Sequence, residues 1–106
     1  MWQPTTIDDL NTTLSSSKPV IIFKHSYRCS ISSMALNRIE KIQNKIDKSS
    51  QLVLVDVIKQ RNFSQKIAQE LNVEHASSQI IVVQNGTVQY ADSHLNIQAA
   101  KLLSYL

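Results

Sequence analysis

The fold is decided by the stretch Val20-Ile21-Ile22-Phe23-Lys24-His25-Ser26-Tyr27-Arg28-Cys29-Ser30-Ile31-Ser32-Ser33. Its first part is a run of β-branched and aromatic residues, which reads as a buried strand. The run breaks at His25-Ser26 and passes into a Ser-rich helical first turn, with the only cysteine of the chain at the junction. Free N–H groups and a partial positive charge at a helix N-terminus favour the thiolate of a thiol placed there. Arg28 adds positive charge beside it. The strand delivers the sulfur, the turn exposes it and the helix activates it.

Working outward, residues 6–15 read as a short helix capped by Thr6, with Asp9 three positions on and Ile7, Leu10 and Leu14 on one face. Lys18-Pro19 ends it. On the far side of Cys29, residues 30–48 read as the longest helix, with Ile31, Met34 or Ala35, Ile39, Ile42 and Ile46 as its apolar stripe. The near-continuous apolar run 52–57 fits a strand buried on both faces. Asn62 opens the next helix, with Phe63, Ile67, Ala68 and Leu71 inward and Asn72 as its stop. Strands at 79–84 and 87–91 flank Asn85-Gly86, a strong hairpin signal. Residues 95–106 close the chain as a helix.

The reading is therefore an α/β fold: a short N-terminal helix, then β-α-β-α-β-β-α, as one domain over residues 1–106. Two β-α-β crossovers imply parallel connections, and the hairpin adds an antiparallel strand. A four-stranded mixed sheet with helices on both faces satisfies this.

Composition narrows the function. The chain has 106 residues, a net charge of +3 and one cysteine. Its basic residues are spread out, with Lys41, Lys45 and Lys48 at helical spacing near Glu40 and Asp47. That is a solvated helix face rather than a nucleic-acid footprint. One cysteine makes no internal disulfide, so its oxidised partners are external. Residues 1–5 show no basic region followed by an apolar run and no apolar run is long enough to span a membrane, so a soluble cytoplasmic protein is expected; a monomer or weak dimer is expected as well. One thiolate with scattered histidines lacks zinc spacing, so no metal and no bound cofactor are expected.

Cys29 at a strand-to-helix junction, in Cys29-Ser30-Ile31-Ser32, resembles the one-thiol C-x-x-S version of the thioredoxin superfamily, whose core has this element order. More closely, Lys24-His25-Ser26, two residues, then Cys29-Ser30-Ile31-Ser32, with His75-Ala76-Ser77-Ser78-Gln79 entering the third core strand, resembles the monothiol bacilliredoxins. The resemblance implies a thiol–disulfide oxidoreductase that removes bacillithiol from client proteins, with bacillithiol as co-substrate and bacillithiolated proteins as partners. It implies catalytic roles for Cys29, Ser32 and Arg28: Cys29 attacks the mixed disulfide, Ser32 donates a hydroxyl or backbone N–H to the sulfur, and Arg28 stabilises the thiolate. Substrate contacts fall to Lys24, His25, Ser30, Ser77 and Ser78. Two positions depart from the family pattern. Ser30 stands where Pro follows the cysteine, and Ser78 stands where a cis-Pro usually faces it. Without proline a cis bond costs about 2.5–4 kcal/mol, so a trans Ser77–Ser78 bond is expected unless the fold enforces cis.

Two other functions compete. A monothiol-glutaredoxin-like iron–sulfur carrier also uses one cysteine per chain, but Ser30-Ile31 is not the Gly-Phe of its C-G-F-S motif. A non-enzymatic binding module or redox sensor of the same fold would leave Cys29 a passive modification site.

Overall fold

The computed structural model describes residues 10–46 and 50–105. Thr6, Ile7 and Asp9, expected to start the first helix, lie outside the described residues, as do Asp47 and Lys48. The elements are α1 (Leu10–Leu14), β1 (Val20–His25), α2 (Ser30–Glu40), β2 (Gln51–Asp56), α3 (Arg61–Leu71), β3 (Gln79–Gln84), β4 (Thr87–Ser93) and α4 (Ala99–Ser104). The strands form one sheet in the order β2-β1-β3-β4. All six residues of β1 are buried, as its apolar run requires of a central strand.

β1 pairs with β2 in parallel, Lys24 opposite Val55. The link from β2 to β3, however, is not a second parallel crossover. β3 runs antiparallel to β1, with Lys24 opposite Gln79, and antiparallel to β4. Apolar content marks a strand as buried but carries no direction. The seven residues after α3 let the chain turn back before it enters the sheet.

Alternation along β1 sorts the core into two layers. Val20 and Ile22 face Leu10, Leu14, Phe63 and Ile67, beneath α1 and α3. Ile21 and Phe23 face Ala35, Ile39, Ile97 and Leu102, beneath α2 and α4. The same alternation sends Lys24 toward α3 and His25 toward α2.

α2 ends at Glu40, earlier than the sequence pattern suggests. A turn and a 3₁₀ segment, Gln43–Lys45, then return Ile46 to the core. Its inward positions are Ser32, Ala35 and Ile39, whereas Ile31 and Met34 are exposed. α3 ends on Asn72 in the left-handed conformation (φ 53°), as expected of a C-terminal stop. Asn85 and Gly86 both have positive φ, 55° and 75°, as a two-residue hairpin turn demands. The closing helix is shorter than expected: a 3₁₀ turn, His94–Asn96, precedes α4. Among the described residues no helix is long and apolar enough to cross a membrane.

Candidate functional site

The loop leaving β1 turns tightly, because the Cys29 N–H donates to the Ser26 carbonyl at 3.1 Å. Cys29 is then the N-cap of α2, with extended backbone (φ −111°, ψ 120°), and its carbonyl takes the first helical hydrogen bond from Ser33 at 3.1 Å. Its side chain makes no capping hydrogen bond, and no acidic residue lies in the first turn of α2. The thiol is half-buried and free. A thiol set where helix N–H groups converge, with no carboxylate in that turn to oppose a negative charge, is placed to act as a nucleophile.

Ser32 lies one turn further along α2 and is fully buried. Its hydroxyl is engaged away from the sulfur. It accepts from the Ser26 N–H at 3.0 Å and meets His25 Nδ1 at 2.7 Å. Ser32 thereby pins the loop that carries Cys29 to the end of β1. His25 is itself buried, and Tyr27 packs edge-on against its ring at 4.2 Å between centroids. Burial pushes the His25 imidazole below its usual range, and Asp56 and Glu40 oppose that in part. Arg28, Ser30 and Tyr27 are exposed around Cys29.

On the other side of Cys29's strand, Lys24 is wholly buried. Its ammonium lies 3.2 Å from His75 Nδ1, and the buried Ser64 hydroxyl reaches the same nitrogen at 3.2 Å. A protonated lysine only donates, so Nδ1 of His75 accepts and its proton sits on Nε2. Desolvation lowers the Lys24 ammonium to about 8 from 10.5. His75 is lowered too, by burial first and then by the charge on Lys24.

The Ser77–Ser78 peptide is cis, which corrects the trans expectation. The His94 N–H donates to the Ser78 carbonyl at 3.0 Å and its ring Nε2 to the Ser77 carbonyl at 3.1 Å. His94 has a positive φ of 54°, and its segment closes on both carbonyls of the pair. Ser78 is buried, and its hydroxyl has no hydrogen-bond partner among the described residues. The register that pairs Lys24 with Gln79 brings Ser78 toward His25.

Of the residues singled out in the sequence, Cys29, Ser30, Ser32, Arg28 and His25 gather at one strand-to-helix junction. Lys24 instead joins His75 and Ser64 beneath α3, and Ser77 is held by His94. Histidines 75 and 94 are exposed as residues, yet each ring supplies a contact that holds the site's framework. His75 had a signal, since it opens the segment His75-Ala76-Ser77-Ser78-Gln79, whereas His94 had none. Among the described residues no cluster of three His, Cys, Asp or Glu side chains is arranged to hold a metal ion.

Comparison with known proteins bears on the family and the fold. The family described as monothiol bacilliredoxin BrxC matches residues 3–102. A solved structure described as a candidate oxidoreductase with a thioredoxin fold is 26% identical, with a TM-score of 0.84, covering 96% of this chain and 90% of that one. The thioredoxin of Malassezia sympodialis is 19% identical, with a TM-score of 0.75 over 98% of this chain and 86% of its own. Trxlp from Edwardsiella tarda is 14% identical, with a TM-score of 0.76 over 100% of this chain and 98% of its own. These last two likenesses establish the thioredoxin fold alone.

Proposed function

The chain belongs to the monothiol bacilliredoxin family, and from that premise we propose that it is a thiol–disulfide oxidoreductase that strips bacillithiol from client proteins in the cytoplasm. The family and the oxidoreductase-like fold support a thiol redox function. The observation that carries the finer reading is Cys29, the only cysteine, half-buried and free at the N-cap of an eleven-residue helix.

In this reading the Cys29 thiolate attacks the bacillithiol sulfur of a client–bacillithiol mixed disulfide. A new sulfur–sulfur bond forms at Cys29 as the old one breaks. The client leaves as a thiolate and takes a proton from solvent. Cys29 then carries the small thiol as its own mixed disulfide. With Ser32 in place of a second cysteine, an external thiol must attack that disulfide and restore Cys29. The chain's own residues hold geometry. Ser32 and His25 fix the loop, and the exposed Arg28, next to Cys29 in sequence, offers positive charge to an incoming acidic thiol.

The test is intact mass after the reduced protein meets bacillithiol disulfide, with Cys29→Ser alongside. The expected result is a rapid gain of one bacillithiol on wild type only, released by added thiol. No adduct, or one no faster than on a free thiol peptide, would reduce the protein to a thioredoxin-fold binding module with an idle cysteine.

A further inference from the structure

β1 and β2 end at the same edge of the sheet, where the Val57 N–H donates to the His25 carbonyl at 3.0 Å. The loop to α3 is braced there by side-chain hydrogen bonds. Asp56 Oδ1 accepts from the Ile58 and Lys59 N–H groups at 3.0 and 3.1 Å, and Gln60 Oε1 accepts from the Asp56 N–H at 2.9 Å. Beyond this turn lies a cavity of about 320 Å³ lined by Val57, Ile58, Arg61, Ser64, Gln65 and His75. Helical spacing puts Arg61, Ser64 and Gln65 on one wall.

The wall is cationic, and the Asp56 carboxylate of the adjoining turn is taken up by the Ile58 and Lys59 N–H groups. No acidic side chain lines the cavity, none lies in the first turn of α3, and Arg61 makes no ion pair among the described residues. Directly behind His75 lies the Lys24 ammonium, fully buried and paired with no carboxylate among the described residues. A buried cation without an anion is costly. His75 Nδ1 meets both the Lys24 ammonium and the Ser64 hydroxyl, each at 3.2 Å, so the ring that lines the cavity is held against a buried cation. The Nε2–H of His75 and the guanidinium of Arg61 complete a donor set that matches a carboxylate.

We propose that this cavity is a carboxylate-binding subsite, held by Arg61 and His75 with Lys24 as the buried countercharge. Resting on the thiol-exchange reading above, it takes the acidic end of the small thiol that Cys29 accepts.

Two measurements test the subsite separately from that reading. Succinate is titrated into Cys29→Ser protein and followed by NMR. The expected result is saturable shifts of the His75 ring and the first turn of α3, abolished by Arg61→Ala. Absence of shifts, or shifts that survive Arg61→Ala, overturns the subsite. Exchange rates at Cys29 are then compared for bacillithiol disulfide and the neutral hydroxyethyl disulfide. Arg61→Ala should slow the first about tenfold, the loss of one charge-assisted contact, and leave the second unchanged. Equal slowing of both overturns the assignment to the thiol. Wild type that shows no preference for bacillithiol disulfide refutes the proposed function instead, while the succinate titration still judges the cavity.

Discussion

Ser32→Ala separates a structural role for this serine from a catalytic one. The hydroxyl is fully buried and serves two groups at once, the Ser26 N–H at 3.0 Å and His25 Nδ1 at 2.7 Å. Truncation leaves a peptide N–H and a buried imidazole nitrogen without a partner. A buried polar group left bare costs about 1–3 kcal/mol. Alanine's better helix propensity returns about 0.5 kcal/mol. Two such groups less that return give a net loss of about 1.5–5.5 kcal/mol, out of a total of about 5–15 kcal/mol for a domain of this kind. With a urea slope of about 2 kcal/mol/M, the unfolding midpoint should fall by about 1–3 M. The assay is urea denaturation followed by circular dichroism, with exposed Ser33→Ala as the control that should stay within about 0.5 kcal/mol. If Ser32 instead served the sulfur, as the sequence pattern suggests, stability would hold and the alkylation rate of Cys29 would change. A midpoint within error of wild type refutes the reasoning.

Burial of Lys24 also has a pH signature. Its folded value, about 8, lies below the unfolded 10.5, so between these values the unfolded chain binds more protons and stability rises with pH. The gain is at most about 3 kcal/mol across that window; Lys24→Met should lack it, so the difference between wild type and Lys24→Met in urea midpoints should change with pH between about 7.5 and 10.5, and a difference that stays constant would remove Lys24 as the source. His25 is lowered by burial, so its contribution runs the same way at acid pH: stability is held above about 6.5 and declines as pH falls below it. His25→Asn, which keeps an acceptor for the Ser32 hydroxyl, should flatten that decline between pH 7 and 5, and an unchanged slope would remove His25 as its source. Gly86 sits at φ 75°, and an added Cβ would meet only the Leu14 carbonyl oxygen, at 4.0 Å. Gly86→Ala should therefore cost about 1–2 kcal/mol, the left-handed backbone penalty alone, and a loss well above that in thermal unfolding would point to a packing clash that the geometry lacks.

What the sequence disclosed and what it hid divide along a physical line. Val20 to Phe23, the stripe of α3 and the Asn85-Gly86 turn were legible because hydrophobic period and positive φ are local properties, written within a few residues of where they act. The direction of β3 was not, since an apolar strand reads the same from either end and the reversal happens in the loop before it. The polar residues of the site were the least legible. Lys24, by type, belongs in water, yet it shares a face with Val20 and Ile22, and its partner is 51 positions away at His75. Ser32 chose His25 over the sulfur because β1 had already placed that ring beside the first turn of α2. The carbonyls of Ser77 and Ser78 are held by His94, a residue with no motif of its own. Each of these partners is fixed only after the sheet forms, so no window of sequence contains both halves of the interaction. They also gather at the ends of β1 and β3, around the cysteine and the cationic cavity. An apolar residue in place of Lys24 would fill the same space without a buried charge, so the lysine works against stability where it stands. That cost falls beside a cavity whose remaining donors all suit an anion, which is where a binding role for the charge would be exercised.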